Sequence, residues 1–347
     1  MNEKLNPKLD FLWLEITKKC NLECVHCYVE SGPSLPVSEG MLERDWIDIL
    51  AQARAVGCHK VQFIGGEPTL HPALPNLIRV AYALGFSFIE IFTNATKVSK
   101  PLMESFETYG VRVATSFYSK DKNVHDDITL QDGSFQKTVN TIQSFLSAGI
   151  PLRVEVIELG THNPDFSATK SFLLDLGVKT VSHDRVRNVG RGTASSKPSY
   201  SGGDLCGQCW RGKLCVTSSG EAYPCIMARS KAVGNAKTDS LRSLLLSDKL
   251  LNFRKTMKKE IFSEGPIQST PISSSHSPIG LGATQLLQGD CGPGPKPDTC
   301  GPALGGVGYC GPEYCGPVDP NCGPTYCAPK DPYCAPSNCG PDSKNSE

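Results

Sequence analysis

Charge of one sign is missing from this chain: 35 lysines and arginines are balanced by 35 aspartates and glutamates. Such a surface has no long-range field to gather nucleic acid or an anionic membrane, so neither is an expected partner. Long apolar runs are missing as well. The sequence never reaches the roughly 18 consecutive apolar residues that span a bilayer, and the polar opening MNEKLNPKLD leads into no signal-type apolar core. The expected compartment is the cytoplasm, where disulfides are rare. Sixteen cysteines in a reducing compartment point instead to metal sites or catalysis.

What is present is a repeating pattern. Between residues 39 and 182 an amphipathic stretch, a glycine and a short β-branched or aromatic run recur five times, the glycines being Gly57, Gly85, Gly110, Gly149 and Gly177. Each glycine suits a helix C-cap, where a left-handed backbone is needed. The runs that follow, among them VQFI, FIEIF, VRVATSF and LRVEVI, read as strands. Helical spacing puts Leu42, Trp46, Ile49, Leu50 and Ala53 on one face, and Phe135, Val139, Ile142 and Leu146 on another. With the opening FLWLEIT there are six strands alternating with helices. That predicts an α/β fold with a parallel sheet, a partial (β/α)6 barrel of the TIM type over residues 1–195. Cysteines then cluster between Cys206 and Cys225, ahead of one more amphipathic helix near LRSLLLSDKLLNFRKTM, and suggest a small second domain over 196–262. From 263 to 347 glycine, proline, serine and cysteine dominate. Large apolar residues are too few there to build a core, so the tail is expected to be mostly disordered.

The first cysteine cluster, TKKCNLECVHCY, follows the first strand with the spacing C-x3-C-x2-C. Cys20, Cys24 and Cys27 can converge on one soft-metal site, iron–sulfur or zinc. Three thiolates are one short of a closed structural site, and an open coordination position is what a catalytic metal needs. A zinc site completed by His26 or a distant cysteine is the alternative. Location favours catalysis, because barrel chemistry gathers at the C-terminal ends of strands. The second strand ends in VQFIGGEPTLHP. Paired glycines there let a ligand approach the backbone closely, and the carboxylate beyond them can meet an ammonium group. A simple turn is the plainer account of the same residues.

Together these segments resemble the radical S-adenosylmethionine (SAM) superfamily, whose defining motif has this cysteine spacing, with His26 where an aromatic residue usually stands. The resemblance implies a 4Fe-4S cluster on Cys20, Cys24 and Cys27, SAM chelating the fourth iron, and reductive cleavage of SAM to a 5'-deoxyadenosyl radical. It also implies an electron donor such as flavodoxin or ferredoxin. Gly65, Gly66, Glu67 and Pro68 match the family's GGEP segment, which binds the SAM amino group. IFTNATK is similar to its TNG segment, with Asn94 in place and Ala95 where glycine is usual. Ser116 in VATSF matches a serine that contacts the SAM ribose, and Arg187 in DRVRNVGRG falls in a late-strand element that lines the cofactor.

Cys206, Cys209, Cys215 and Cys225 lie within twenty residues, a metal signal for which structural zinc is the alternative. Their segment resembles the SPASM or twitch extension of the same superfamily, in which Cys209, Gly220 and Cys225 have the spacing that opens an auxiliary 4Fe-4S site. The later cysteine block of a complete SPASM domain is missing, which favours one auxiliary cluster over two. By analogy with such relatives the expected substrate is a peptide or protein, modified by a crosslink, a thioether, an epimerisation or an oxidation. Few residues precede the first strand, so a separate peptide carrier is expected if that substrate has a leader. A small molecule such as a sugar or amino acid, and a non-enzymatic iron–sulfur or metal-binding scaffold, are the alternative functions. The CGP and CAP units of the tail, from Cys291 to Cys339, carry eight more cysteines and read as a flexible thiol-rich arm without catalytic residues. Cys58 reads as a buried structural thiol, and His59, His71, His125, His162 and His183 read as polar surface.

Overall fold

The computed structural model describes residues 8–160, 163, 165–193, 205, 206 and 208–263. Six strands, β1 (Phe11–Thr17), β2 (Lys60–Gly65), β3 (Phe88–Phe92), β4 (Arg112–Phe117), β5 (Leu152–Glu158) and β6 (Thr180–Arg185), lie side by side in chain order. Every neighbouring pair among them is parallel. Parallel pairing makes each connection cross back over the sheet. The crossings are made by α1 (Glu43–Ala55), α2 (Leu74–Ala83), α3 (Lys100–Thr108), the pair α4 (Lys122–Thr129) and α5 (Ser134–Ser147), and α6 (Phe166–Asp175). Among the described residues β1 and β6 do not pair with each other, so the barrel is partial. The five helix-ending glycines have φ between 61° and 98°, the left-handed turn that sends each helix back toward the next strand.

Period-two alternation divides each strand between two layers. Leu12, Leu14 and Ile16 of β1 pack under the helices with Trp46, Leu77 and Phe106. Phe11 and Trp13 point the other way, into a cluster with Ile64, Cys209, Cys215 and Cys225. On that same inner face stand Glu15, Gln62, Glu90 and Glu155, all buried. The barrel interior is therefore charged, which is unusual for a structural core and suited to holding a ligand.

The chain after residue 205 extends this sheet. Strand β7 (Lys213–Val216) pairs parallel with β1, and β8 (Glu221–Tyr223) and β9 (Gly234–Asn235) follow antiparallel. The stretch expected as one helix is two, α7 (Leu241–Leu245) and α8 (Asp248–Ser263). Ser247 divides them, because its hydroxyl accepts the Leu250 N–H at 3.3 Å and starts the second helix.

Three surface or face assignments differ from expectation. Leu42 precedes α1 instead of sharing its buried face and is 48% exposed. His125 is buried among Phe117, Tyr118 and Phe135, and desolvation lowers its pKa to about 4. His71 is also buried, its Nδ1 accepting the Ala73 N–H at 3.2 Å. Cys58 is buried and donates to the Lys60 carbonyl. His162 and the cysteines of the tail lie outside the described residues.

Candidate active site

The chain leaves β1 at Thr17 and passes through Cys20, Cys24 and Cys27 before α1 begins. Cys20 Sγ accepts the Leu22 N–H and Cys27 Sγ the Ser31 N–H, each at 3.4 Å, and the Asn94 amide lies 3.6 Å from Cys20 Sγ. Tyr118 also hydrogen-bonds to Cys24. Donors aimed at sulfur suit thiolates. Burial nevertheless pushes the Cys20 and Cys24 thiols up to about 12, so they need a nearby positive charge to ionise. Bound iron would supply that charge.

Two struts hold this loop. The first is the end of β2. A Cβ on Gly66 would lie 2.4 Å from the Lys19 carbonyl oxygen, and one on Gly65 would lie 2.4 Å from that of Thr17. Only glycine allows the two backbones so close, and hydrogen bonds from Gly66 N–H to Thr17 (2.7 Å) and from Glu67 N–H to Lys19 (2.8 Å) join them. The second strut is residues 190–192 after β6. Arg191 donates from Nε to the Cys24 carbonyl and from Nη2 to the Ser31 carbonyl, both at 2.8 Å, and its N–H reaches the Cys27 carbonyl at 3.0 Å. Gly190 and Gly192 flank it with no room for a Cβ against the Cys27 and Arg187 carbonyls. Sequence reasoning stopped at Arg187 and missed Arg191; the GRG triplet was the available signal.

Cys20, Cys24, His26, Cys27, Gly65, Gly66, Asn94, Ser116 and Arg187 all line one pocket at the C-terminal ends of the strands, about 980 Å³ with its open mouth included. His26 packs edge-on against Tyr118, and burial lowers its pKa to about 4. Glu67 and Pro68 are placed differently. The buried Glu67 carboxylate accepts from Thr69 N–H (3.1 Å), the Thr69 and Thr93 hydroxyls (2.7 Å each) and Asn94 N–H (2.7 Å). It orders the loop after β3 rather than facing the pocket, and Pro68 is buried at the start of a short 3-10 turn. Ala95 takes φ +55°, the left-handed conformation for which glycine is usual.

The donor set fits an iron–sulfur cubane. Three sulfurs come from one loop, and buried polar atoms with no partner among the described residues, His26 Nδ1 and Ser31 Oγ, lie beside them. No three His, Cys, Asp or Glu side chains among the described residues converge tightly enough for a single metal ion. A cubane makes no such demand, since each thiolate binds a different iron.

Residues 14–165 match the radical SAM superfamily, and residues 206–264 match SPASM, an iron–sulfur cluster-binding domain. The chain carries a radical SAM domain followed by a SPASM domain. The first implies a 4Fe-4S cluster and SAM as cofactors, and the second implies auxiliary iron–sulfur binding. The antilisterial bacteriocin subtilosin biosynthesis protein AlbA of Bacillus subtilis (strain 168) is 26% identical over 267 residues, 67% of this chain and 58% of AlbA. The sporulation killing factor maturation protein SkfB of the same organism is 28% identical over 185 residues, 53% of this chain and 44% of SkfB. The chain thus spans about half the length of these curated relatives. A crystal structure of Streptococcus suis SuiB bound to precursor peptide SuiA shares the fold, with a TM-score of 0.59 at 18% identity over 71% of this chain and 66% of SuiB.

In the SPASM domain Cys209 Sγ lies 3.2 Å from Cys225 Sγ and hydrogen-bonds to Cys206 as well. Cys209 donates its one S–H to Cys225, and hydrogen bonding to Cys209 holds the Cys206 and Cys225 thiols below their usual range. Cys215 is buried on β7 in the same cluster, beside Arg229 and Glu15. The structure therefore groups Cys206, Cys209 and Cys225, with Cys215 alongside.

Proposed function

We propose that this protein holds a 4Fe-4S cluster on Cys20, Cys24 and Cys27, binds SAM beside it, and carries out radical modification of a peptide or protein. The observation behind this is the meeting in one pocket of the cysteine loop after β1, Gly65 and Gly66 of β2, Asn94 after β3 and Ser116 of β4. When bound, cluster and SAM supply one-electron hydrogen-abstraction chemistry. The chain's own residues bind and shield. Gly65 and Gly66 line the pocket where the amino-acid end of SAM would lie, Asn94 and Ser116 offer polar contacts, and Phe92, Tyr118 and Ile157 line the walls that keep water out.

A peptide substrate is supported by the relatives, whose names speak of bacteriocin biosynthesis and killing-factor maturation, and by SuiB, which was crystallised with a precursor peptide. We further place one auxiliary cluster at Cys206, Cys209, Cys215 and Cys225, and expect a flavodoxin or ferredoxin as electron donor. A separate carrier is expected for a substrate with a leader. Among the described residues no helix is long and apolar enough to cross a membrane, and the cytoplasm is the compartment we assign.

The test is anaerobic reconstitution with iron and sulfide, reduction in the presence of SAM, and chromatography for 5'-deoxyadenosine, with Cys24→Ala alongside. Production by the wild type alone is expected. Iron binding with SAM left intact under several reductants would refute the proposal.

A further inference from the structure

The inner face of the sheet carries an odd carboxylate. Three arginines there each have a carboxylate of their own. Glu90 holds Arg153 through two hydrogen bonds of 3.0 Å, Asp184 holds Arg187 at 2.5 Å, and Glu15 pairs closely with Arg229. Glu155 of β5 is the fourth carboxylate and lacks such a partner. It is 3% exposed, its Oε2 accepts no hydrogen bond, and its single ion-pair contact among the described residues is Arg153 Nη1 at 3.9 Å. Strand register sets it between Ser116 of β4 and Ser182 of β6, and it lines the pocket of the cysteine loop.

A buried carboxylate oxygen without a hydrogen bond is unfavourable unless the acid is neutral or a ligand brings a partner. Desolvation raises the Glu155 pKa to about 7, with Arg153 and Arg187 opposing the rise and Asp184 and Glu90 adding to it. Arg153 gives its hydrogen bonds to Glu90 and stands off Glu155 at 3.9 Å, so it leaves the Glu155 Oε2 edge without a hydrogen bond. What suits the Oε2 edge is a positive charge arriving from the open side of the pocket.

We propose that Glu155 is a cation subsite, taking a positively charged group of a ligand bound in this pocket. The choice of candidate ligands rests on the radical SAM function proposed above. SAM brings a sulfonium, and a peptide substrate brings an ammonium through a lysine side chain; the shared chemistry is a monovalent cation approaching the Oε2 edge.

Two binding comparisons on the full-length reconstituted protein separate these sources. The first compares SAM with S-adenosylhomocysteine, which lacks the sulfonium charge. The second, with SAM present, compares N-acetyl-lysinamide with N-acetyl-norleucinamide. Wild type is expected to prefer the cationic member of at least one pair, and Glu155→Gln to reduce that preference tenfold or more. The pair that moves identifies the ligand. Calorimetry near pH 7 in buffers of different ionisation heat should also show proton release on cation binding, lost in Glu155→Gln; a mere packing defect would leave no such signature. Glu155→Asp, which keeps the charge, should retain part of the preference. Equal wild-type binding within both pairs, or a preference unchanged in Glu155→Gln, overturns the proposal. Formation of 5'-deoxyadenosine is scored separately, so failure of the radical SAM function is distinguishable from failure of the cation subsite.

Discussion

Replacing Gly66 by alanine tests whether the close approach of β2 to the cysteine loop positions the first cluster. The added Cβ would sit 2.4 Å from the Lys19 oxygen and 2.6 Å from the Lys18 oxygen. Ordinary contact is about 3.5 Å, so this backbone must retreat by roughly 1 Å. Hydrogen bonds of 2.7 and 2.8 Å, from Gly66 to Thr17 and from Glu67 to Lys19, cannot both survive that shift. Each is worth about 1 kcal/mol net, and leaving the buried groups unsatisfied adds about 1–3 kcal/mol, for a loss of about 2–5 kcal/mol. Cys20 is the next residue and moves with Lys19. Gly57→Ala is the control: φ is +84° but nothing lies within 4 Å of the new Cβ, so the cost is only the left-handed strain of about 1–2 kcal/mol. Urea unfolding measures both losses, and iron content after reconstitution measures the site. Gly66→Ala should lose stability and the iron of the first cluster, whereas Gly57→Ala keeps its iron. A Gly66→Ala protein with wild-type iron content and urea midpoint would refute the reasoning.

Arg191→Ala removes two charge-assisted hydrogen bonds to the Cys24 and Ser31 carbonyls, worth about 1.5–3 kcal/mol each, and should cut iron retention; Arg191→Lys should not rescue it, because an ammonium cannot span both acceptors. Equal iron content in arginine and lysine forms would count against a forked contact. Arg229→Ala strands Glu15, which is fully buried, and should cost about 3–5 kcal/mol in urea, with Glu15→Gln in the same chain recovering most of it. Glu155 binds more protons folded than unfolded between pH 4.5 and about 7, so its contribution to stability falls by about 3 kcal/mol across that window. His26 and His125, whose folded pKa values are near 4, impose the opposite slope. The difference between Glu155→Gln and wild type isolates the glutamate: the variant should gain on wild type as pH rises from 4.5 to 7, and a constant difference would contradict a desolvated acid with a raised pKa.

The six strands of the partial barrel, their alternation with helices and the turns between them were legible because each depends on neighbours in the chain, whereas β7, β8 and β9 were not read. Period two marks a strand, helical spacing marks a buried face, and a left-handed C-cap selects glycine at Gly57, Gly85, Gly110, Gly149 and Gly177. The spacing of Cys20, Cys24 and Cys27 is equally local, and so was the family it resembles. Pattern says which face a residue occupies, but not which residue it meets there. Arg191 reaches carbonyls 167 and 160 positions away, and Arg229 pairs with Glu15 across 214. The same limit hid the pairing of β7 with β1 and the turning of Glu67 toward Thr69, Thr93 and Asn94. Glu155 shows the limit most plainly: alternation puts it inside the barrel, while its distant 3.9 Å contact with Arg153 depends on how the fold has already committed that arginine to Glu90.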